Sequence, residues 1–289
     1  MIDVALARGL VEAQFPRWAG LPLRPVENGG SDHVIFRLGD ELAVRLPRHE
    51  GAIGQARKES AWLPRLAPAL PLAVPEPVAV GRPGNGYPWH WSVSRWLAGE
   101  VATVDLADSR EAAEALAGFL TALQRFPADG APREREEALR DRDEQTRADI
   151  ARVAGVFDAG ALTAAWRAAL GAPGWDRPPV WFHGDFHIGN VLTAGGRVSA
   201  VIDFGGLGVG DPARDMMMAF TLMSAGSRRV FRDALGVDEA TWVRGRGWAL
   251  TTGLNAYCSY AATDARVAAA TTRQIGEVVR DLRLSFGAR

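Results

Sequence analysis

Two short segments decide the fold of this chain: HGDFHIGN at residues 183–190 and VIDFG at residues 201–205. Each lies at the end of a short apolar run and carries an acidic residue into a turn that contains glycine. This pattern predicts loops at the ends of two buried strands. Two such strands joined by a tight turn would bring Asp185, Asn190 and Asp203 to one edge.

Those three side chains are the set that phosphoryl transfer requires. The carboxylate of Asp185 can orient and deprotonate an acceptor hydroxyl. The amide oxygen of Asn190 and the carboxylate of Asp203 can hold Mg²⁺ on phosphate oxygens, because hard cations prefer oxygen ligands. In the protein-kinase motifs a catalytic Asp lies about five residues before a metal-binding Asn, and an Asp-Phe-Gly follows. Both spacings occur in this chain.

The N-terminal part of the chain has the periodicity of short strands. Turn residues, among them the pair Gly39-Asp40, separate the apolar runs and predict an antiparallel three-strand meander. A helix is predicted on either side of the meander and a further strand after them. The predicted helices are Val4–Phe15 and Gly51–Leu66, and the predicted strands are Leu21–Val26, Val34–Leu38, Leu42–Leu46 and Trp89–Leu97.

After Glu100 the pattern changes to helical spacing, interrupted only by short apolar strands around the two motifs. From Asp211 onward the sequence predicts helix, broken near Gly226 and at Gly236-Val237-Asp238. We therefore expect an α+β protein with a small antiparallel β-rich N-terminal lobe, residues 1–97, and a larger helical C-terminal lobe, residues 98–289, with a ligand cleft between them. The other predicted segments are the helices Leu106–Phe126, Arg135–Phe157 and Asp158–Leu170 and the strands Val180–Phe182, Val191–Ala194 and Val198–Phe204.

The two motifs, together with Gly-Asp-Pro-Ala-x-Asp at residues 210–215, resemble the aminoglycoside phosphotransferase family of small-molecule kinases. The resemblance extends over essentially the whole chain and implies a bilobal, protein-kinase-like fold. It also implies that Asp185 is the catalytic base and that Asn190 and Asp203 bind Mg²⁺. The supporting residues that it implies are His183, which braces the loop, Asp215, which anchors the loop from the next helix, and Asp211, which caps that helix with Pro212 at its first position.

The N-terminal lobe departs from the family pattern at one position. Arg45 stands on the third strand where the phosphate-binding lysine is expected, and Lys58, the only lysine, lies in the following helix. By the resemblance, Arg45 pairs with Glu59. The resemblance also implies that the loop Asn28–Asp32, which includes Ser31, covers the nucleotide phosphates. The resemblance further implies that the backbones of Arg95 and Leu97 form the hinge that binds the purine edge.

Composition excludes several other classes of protein. The 289 residues carry a formal charge of −1, which leaves no basic surface for nucleic acid or for an anionic membrane. Cys258 is the only cysteine, so an internal disulfide framework is excluded. The N-terminus lacks the basic stretch of a signal peptide, and no apolar run is long enough to span a membrane. We expect a cytoplasmic protein.

The predicted function is Mg²⁺-dependent transfer of the γ-phosphate of ATP or GTP to a hydroxyl of a small molecule, with an aminoglycoside-type antibiotic, and hence resistance, as one acceptor class. A kinase of the same fold that acts on an amino alcohol, a sugar or homoserine is an alternative, and so is a pseudokinase-like nucleotide-binding protein. His183, Asp185 and His187 alternate, which leaves a transition-metal site open, but a loop-packing role is favoured for His187. Acidic residues that could attract a cationic acceptor are Glu134, Glu136, Glu137, Asp141, Asp143, Glu144, Asp264, Glu277 and Asp281.

Overall fold

A computed structural model of the chain describes residues 2–26, 32–131 and 138–287. The strands are β1 Leu23–Pro25, β2 His33–Leu38, β3 Leu42–Pro47, β4 Pro77–Gly81, β5 Trp91–Arg95, β6 Glu100–Val101, β7 Val180–Phe182, β8 Val191–Ala194, β9 Arg197–Val201 and β10 Gly208–Gly210. The helices are α1 Val4–Gln14, α2 Gln55–Leu66, α3 Val104–Ala107, α4 Arg110–Arg125, α5 Asp143–Arg152, α6 Ala159–Gly171, α7 Met218–Thr221, α8 Ala225–Leu235, α9 Glu239–Tyr260 and α10 Ala265–Gly287.

The N-terminal region is built on a five-stranded antiparallel sheet with the order β1-β2-β3-β5-β4. The predicted meander forms its first three strands, and β5 adds to the far edge of β3. Between β2 and β3, Gly39 has a φ of 60°, a left-handed conformation that glycine adopts at little cost. Alternate side chains of the sheet, such as Phe36 and Val44, pack against Leu10 of α1 in one hydrophobic cluster.

The C-terminal region is mostly helical, as the sequence predicts. Helices α4, α8, α9 and α10 surround a second and larger cluster, which contains Phe119, Phe220 and Trp242. The helix predicted over Arg135–Phe157 is shorter in the structure: α5 ends at Arg152, and the residues 132–137 lie outside the described part of the chain. The described helices include none that is both long and apolar enough to cross a membrane.

Helix α2 links the two regions. Trp62, Leu63 and Leu66 belong to the larger cluster, although they come from the N-terminal part of the chain. The ring centroids of Trp62 and of Trp181, which lies on β7, are 4.7 Å apart. The α+β architecture with a small β region and a larger helical region is confirmed. The division of the chain after residue 97 stays a prediction.

Candidate active site

The loop at residues 183–190 follows β7 and is held by one buried carboxylate. Asp215 accepts the backbone N–H of His183 at 2.7 Å and that of Gly184 at 2.9 Å. Burial raises the pKa of Asp215 to about 7, although both N–H groups oppose that shift. Gly184 has a φ of +85°, and a Cβ there would lie 2.1 Å from the carbonyl oxygen of Gly206. Only glycine therefore allows this loop to contact the loop after Asp203.

The hairpin of β8 and β9 brings Asp203 to the same place. The N–H of Ile202 donates to the carbonyl of Asn190 at 2.9 Å, and Nε2 of His183 donates to the carbonyl of Ile202 at 3.0 Å. Asp203 itself has a φ of 63°, which is unusual for a residue with a side chain. Strained backbone of this kind persists where surrounding contacts enforce it and is typical of functional sites.

Asp185 presents its carboxylate at the surface of this loop, with its side chain 51% exposed. Nδ2 of Asn190 donates to the backbone carbonyl of Asp185 at 2.9 Å and to its Oδ2 at 3.2 Å. Nε2 of His187 lies 3.4 Å from the same Oδ2. Partial burial raises the pKa of Asp185, but the hydrogen bond from His187 and the nearby positive charges outweigh it and lower the pKa to about 2. Asp185 is therefore ionised at neutral pH.

Arg45 connects the N-terminal sheet to this site. Its Nη1 donates to Oε2 of Glu59 at 2.6 Å, and its Nη2 donates to Oδ1 of Asp203 at 3.0 Å. Burial alone would lower the pKa of Arg45, but the charges of Glu59 and Asp203 raise it, so the side chain stays charged. The arginine occupies the predicted position and contacts a carboxylate from each region of the protein.

The donor set fits a magnesium ion. In the described part of the chain, no hydrogen bond engages Oδ1 of Asn190 or Oδ2 of Asp203. Mg²⁺ is commonly bound by one or two carboxylates together with phosphate oxygens and water. No group of three His, Cys, Asp or Glu side chains among the described residues could hold a metal ion. The transition-metal alternative therefore has no support, and Nε2 of His183 is already bonded to a backbone carbonyl.

The nucleotide-binding residues predicted in the N-terminal region are placed only in part. Ser31 and the rest of the loop at residues 28–30 lie outside the described residues. The backbone N–H of Arg95 donates to the carbonyl of Glu76 at 2.8 Å, so this N–H is not available to a base. The hydrogen bonds of the described residues leave the N–H of Leu97 unpaired. The role of this hinge in purine binding stays a prediction.

Asp211 caps a 3-10 segment, Pro212–Met217, by accepting the N–H of Ala213 at 2.9 Å. The prediction that an α-helix follows Asp211 directly is wrong, because α7 begins only at Met218. Asp211 is also paired with Arg244 at 2.7 Å, which ties the segment to α9.

The expectation that Glu277 and Asp281 face an acceptor is wrong. Glu277 is buried and pairs with Arg228 at 2.8 Å, and Asp281 pairs with Arg246 at 3.1 Å, so both hold α10 against its neighbours. Three others are also used structurally, since Asp141 and Asp264 cap helical segments and Asp143 accepts from Arg147 and Trp166. Glu134, Glu136 and Glu137 lie outside the described residues.

Two residues at the site were missed by the sequence interpretation. His187 was assigned to loop packing, yet it contacts both Asp185 and Asn190. Gln55 donates to Asp32 at 2.7 Å, and a Cβ added to Gly205 would lie 2.5 Å from Oε1 of Gln55. Gln55 therefore lies between Asp32 and the turn after Asp203. The position of His187 between Asp185 and Asn190 could have indicated its role at the site, whereas nothing in the sequence pointed to Gln55.

The fold and this arrangement of side chains define a kinase-like phosphotransferase. The chain matches the phosphotransferase enzyme family over residues 22–249, and it belongs to that family. It is therefore an enzyme of the class that transfers phosphate to a hydroxyl group. A search of curated proteins gave no match.

Solved structures of similar fold cover nearly the whole chain. The GDP complex of wild-type aminoglycoside 2'-phosphotransferase-IIIa matches with a TM-score of 0.70 at 19% identity, over 94% of this chain and 97% of that one. The GDP and kanamycin complex of APH(2")-IIia matches with a TM-score of 0.69 at 20% identity, over 97% and 98%. The macrolide 2'-phosphotransferase MphH from Brachybacterium faecium matches with a TM-score of 0.60 at 24% identity, over 94% and 98%. The expected kinase-like fold is confirmed.

Proposed function

We propose that this protein transfers the γ-phosphate of ATP or GTP to a hydroxyl of a small molecule in a Mg²⁺-dependent reaction. Two observations carry the proposal: Asn190 contacts Asp185 and accepts the backbone N–H of the residue before Asp203, and Arg45 reaches Asp203 from the other region. Similar folds crystallised with GDP support a nucleotide donor.

In this reaction Asp185 accepts the proton of the acceptor hydroxyl as the hydroxyl oxygen bonds to the γ-phosphorus. The bond from that phosphorus to the bridging oxygen breaks, and the nucleoside diphosphate leaves. Asn190 and Asp203 would hold Mg²⁺, which supplies positive charge to the phosphate oxygens. Arg45 holds the carboxylate of Asp203 in place, and its charge favours the binding of phosphate. Positioning and charge stabilisation account for most of the acceleration.

The test separates the proposed base from the proposed metal ligand. Asp185→Asn should reduce transfer by about 10²- to 10⁴-fold and leave the affinity for Mg²⁺-nucleotide near that of the wild type. Asp203→Asn should weaken Mg²⁺-nucleotide binding in isothermal titration. Asp264→Asn is a matched control, because Asn also caps a helix and Asp264 only caps α10. Full transfer by Asp185→Asn would refute the assignment of the base.

The acceptor is identified by a panel assay that measures release of the nucleoside diphosphate. Kanamycin and a macrolide represent the antibiotics named for proteins of similar fold. Choline, a hexose and homoserine represent metabolic acceptors. Release that depends on both Mg²⁺ and one acceptor supports the proposal, whereas binding of nucleotide with no transfer to any hydroxyl would favour the pseudokinase-like alternative.

A further inference from the structure

His187 makes three polar contacts through the two nitrogens of its ring, and in one of them Nδ2 of Asn190 lies 3.2 Å from Nε2. Nδ1 accepts the backbone N–H of Gly189 at 3.0 Å, and Nε2 lies 3.4 Å from Oδ2 of Asp185. A nitrogen that accepts a hydrogen bond carries a lone pair, so the ring proton must be on Nε2. The N–H of Nε2 therefore faces Oδ2 of Asp185, while the hydrogens on Nδ2 of Asn190 are directed to the carbonyl and Oδ2 of Asp185. The contact with Gly189 selects this tautomer.

The carboxylate of Asp185 is held at one oxygen only. Oδ2 receives Nδ2 of Asn190 at 3.2 Å and Nε2 of His187 at 3.4 Å. No hydrogen bond of the described residues engages Oδ1, and the side chain is half exposed. The two donors therefore fix the rotation of the carboxylate and leave Oδ1 to meet an incoming hydroxyl.

We infer that His187 is a positioning residue that orients Asp185 through Oδ2, and that Oδ1 is the oxygen that accepts the proton of the acceptor. This inference rests on the proposed function, because it assigns a role to a neighbour of the proposed base. It differs from the simple packing role that the sequence suggested for this histidine. The loop of residues 183–190 then contains both the base and the group that aims it.

The position of the imidazole depends in turn on Gly189. A Cβ on Gly189 would lie 2.7 Å from Cε1 of His187, which is closer than real side chains approach. The φ of Gly189 is not positive, so the substitution Gly189→Ala adds the methyl group without straining the backbone. It therefore displaces the ring while the chemistry of His187 stays intact.

Two substitutions at position 187 separate positioning from local structure. The side chain of Asn can replace Nδ1 as the acceptor for the N–H of Gly189, but it is too short to reach Asp185. The side chain of Gln places an N–H donor where Nε2 was. We expect His187→Asn to lower kcat by about 10- to 100-fold with little change in the nucleotide KM or in Tm. We expect His187→Gln to retain kcat within about threefold of the wild type, as one hydrogen bond is rebuilt.

Gly189→Ala should behave like His187→Asn, and the double variant should be no worse than either single one, because both changes remove the same contact. Assays use Mg²⁺-GTP or Mg²⁺-ATP with the panel compound that is turned over fastest. Equal losses in the Asn and Gln variants, wild-type kcat in His187→Asn, or additive losses in the double variant would each overturn the inference.

A second measurement needs no acceptor. Nitrogen-15 NMR of the five histidine rings, at about pH 8, reports which ring nitrogen carries the proton. The resonance that disappears in His187→Asn should show a neutral ring protonated on Nε2, and a proton on Nδ1 would overturn the inference. The two proposals fail separately: full transfer by Asp185→Asn refutes the base, whereas an inactive Asp185→Asn beside a fully active His187→Asn refutes only the role of His187.

Discussion

Removing the guanidinium of Arg45 should destabilise the protein more than removing its partner Glu59. Glu59 is 4% exposed, and Arg45 is the only partner found for its carboxylate among the described residues, because Oε1 makes no hydrogen bond. Arg45, by contrast, has a second partner in Asp203. Arg45→Met therefore leaves a buried carboxylate without a partner, whereas Glu59→Leu leaves an arginine that is still paired.

The expected sizes follow from this asymmetry. Removing one partner of a buried ion pair costs about 3–5 kcal/mol of the free energy of unfolding, and we expect Arg45→Met to fall in that range. Glu59→Leu should cost less, about 1–3 kcal/mol, because Asp203 remains. Replacing a whole buried pair by apolar side chains is often nearly neutral. The double variant Arg45→Met/Glu59→Leu should therefore be more stable than Arg45→Met alone.

Urea unfolding followed by circular dichroism measures these differences. Arg45→Lys is the matched control: it keeps the positive charge but loses the two-pronged contact, so it should lie between the wild type and Arg45→Met. Two results would refute the reasoning that the buried carboxylate of Glu59 needs Arg45 as its partner. One is a double variant that is as unstable as Arg45→Met, and the other is a loss of stability below about 1 kcal/mol in Arg45→Met.

The remaining predictions concern pH and backbone. His33 is buried, and burial, assisted by the charge of Arg45, lowers its pKa to about 3. As the pH falls, His33 gains a proton near pH 6.5 in the unfolded chain but only near pH 3 in the folded protein. Above about pH 6.5 His33 therefore does not lower the free energy of unfolding, and by about pH 5 it lowers it by about 2 kcal/mol. Urea unfolding across this pH range should show a smaller loss of stability in His33→Gln than in the wild type. His49→Gln, at an exposed site, should follow the wild type. An equal dependence of stability on pH in all three proteins would contradict this prediction. Gly184→Ala should lower Tm and abolish transfer, because its Cβ would meet Gly206 at 2.1 Å. Gly118→Ala in α4 is the control, because a Cβ there meets nothing within 4 Å, and it should stabilise the protein by about 0.5–1 kcal/mol. A Gly184→Ala variant with the Tm of the wild type would contradict the close approach of Gly184 to Gly206.

Local patterns were sufficient for the elements that carry the site. The apolar strand, the glycine turn and the fixed spacing of Asp185, Asn190 and Asp203 are properties of short stretches, and β7, β8 and β9 form where those stretches predict strands. The N-terminal meander was predictable for the same reason, because alternation and turn residues act between neighbours in sequence. The ends of several elements, such as α5, differed, β10 was not predicted, and a 3-10 segment stands where an α-helix was predicted after Asp211.

Contacts between distant side chains were not predictable in this way. The sequence placed Glu277 among the acidic residues that could attract a cationic acceptor, yet packing against α8 places it in a buried pair with Arg228. The sequence left the N–H of Arg95 available to a purine, but in the structure this N–H donates to the carbonyl of Glu76 in the adjacent connection. In each case the identity of the partner depends on how the elements pack.

The sequence by itself determined the class of fold, the order of strands and helices around the two motifs, and the set of oxygen-bearing side chains at the site, because these depend on local spacing and side-chain chemistry. Only the tertiary structure decided that Arg45, whose pairing with Glu59 the family resemblance implies, also reaches Asp203, and that Nε2 of His187 is directed at Asp185. Such contacts depend on the direction in which each side chain leaves a folded backbone, and that direction exists only after the helices and strands have packed.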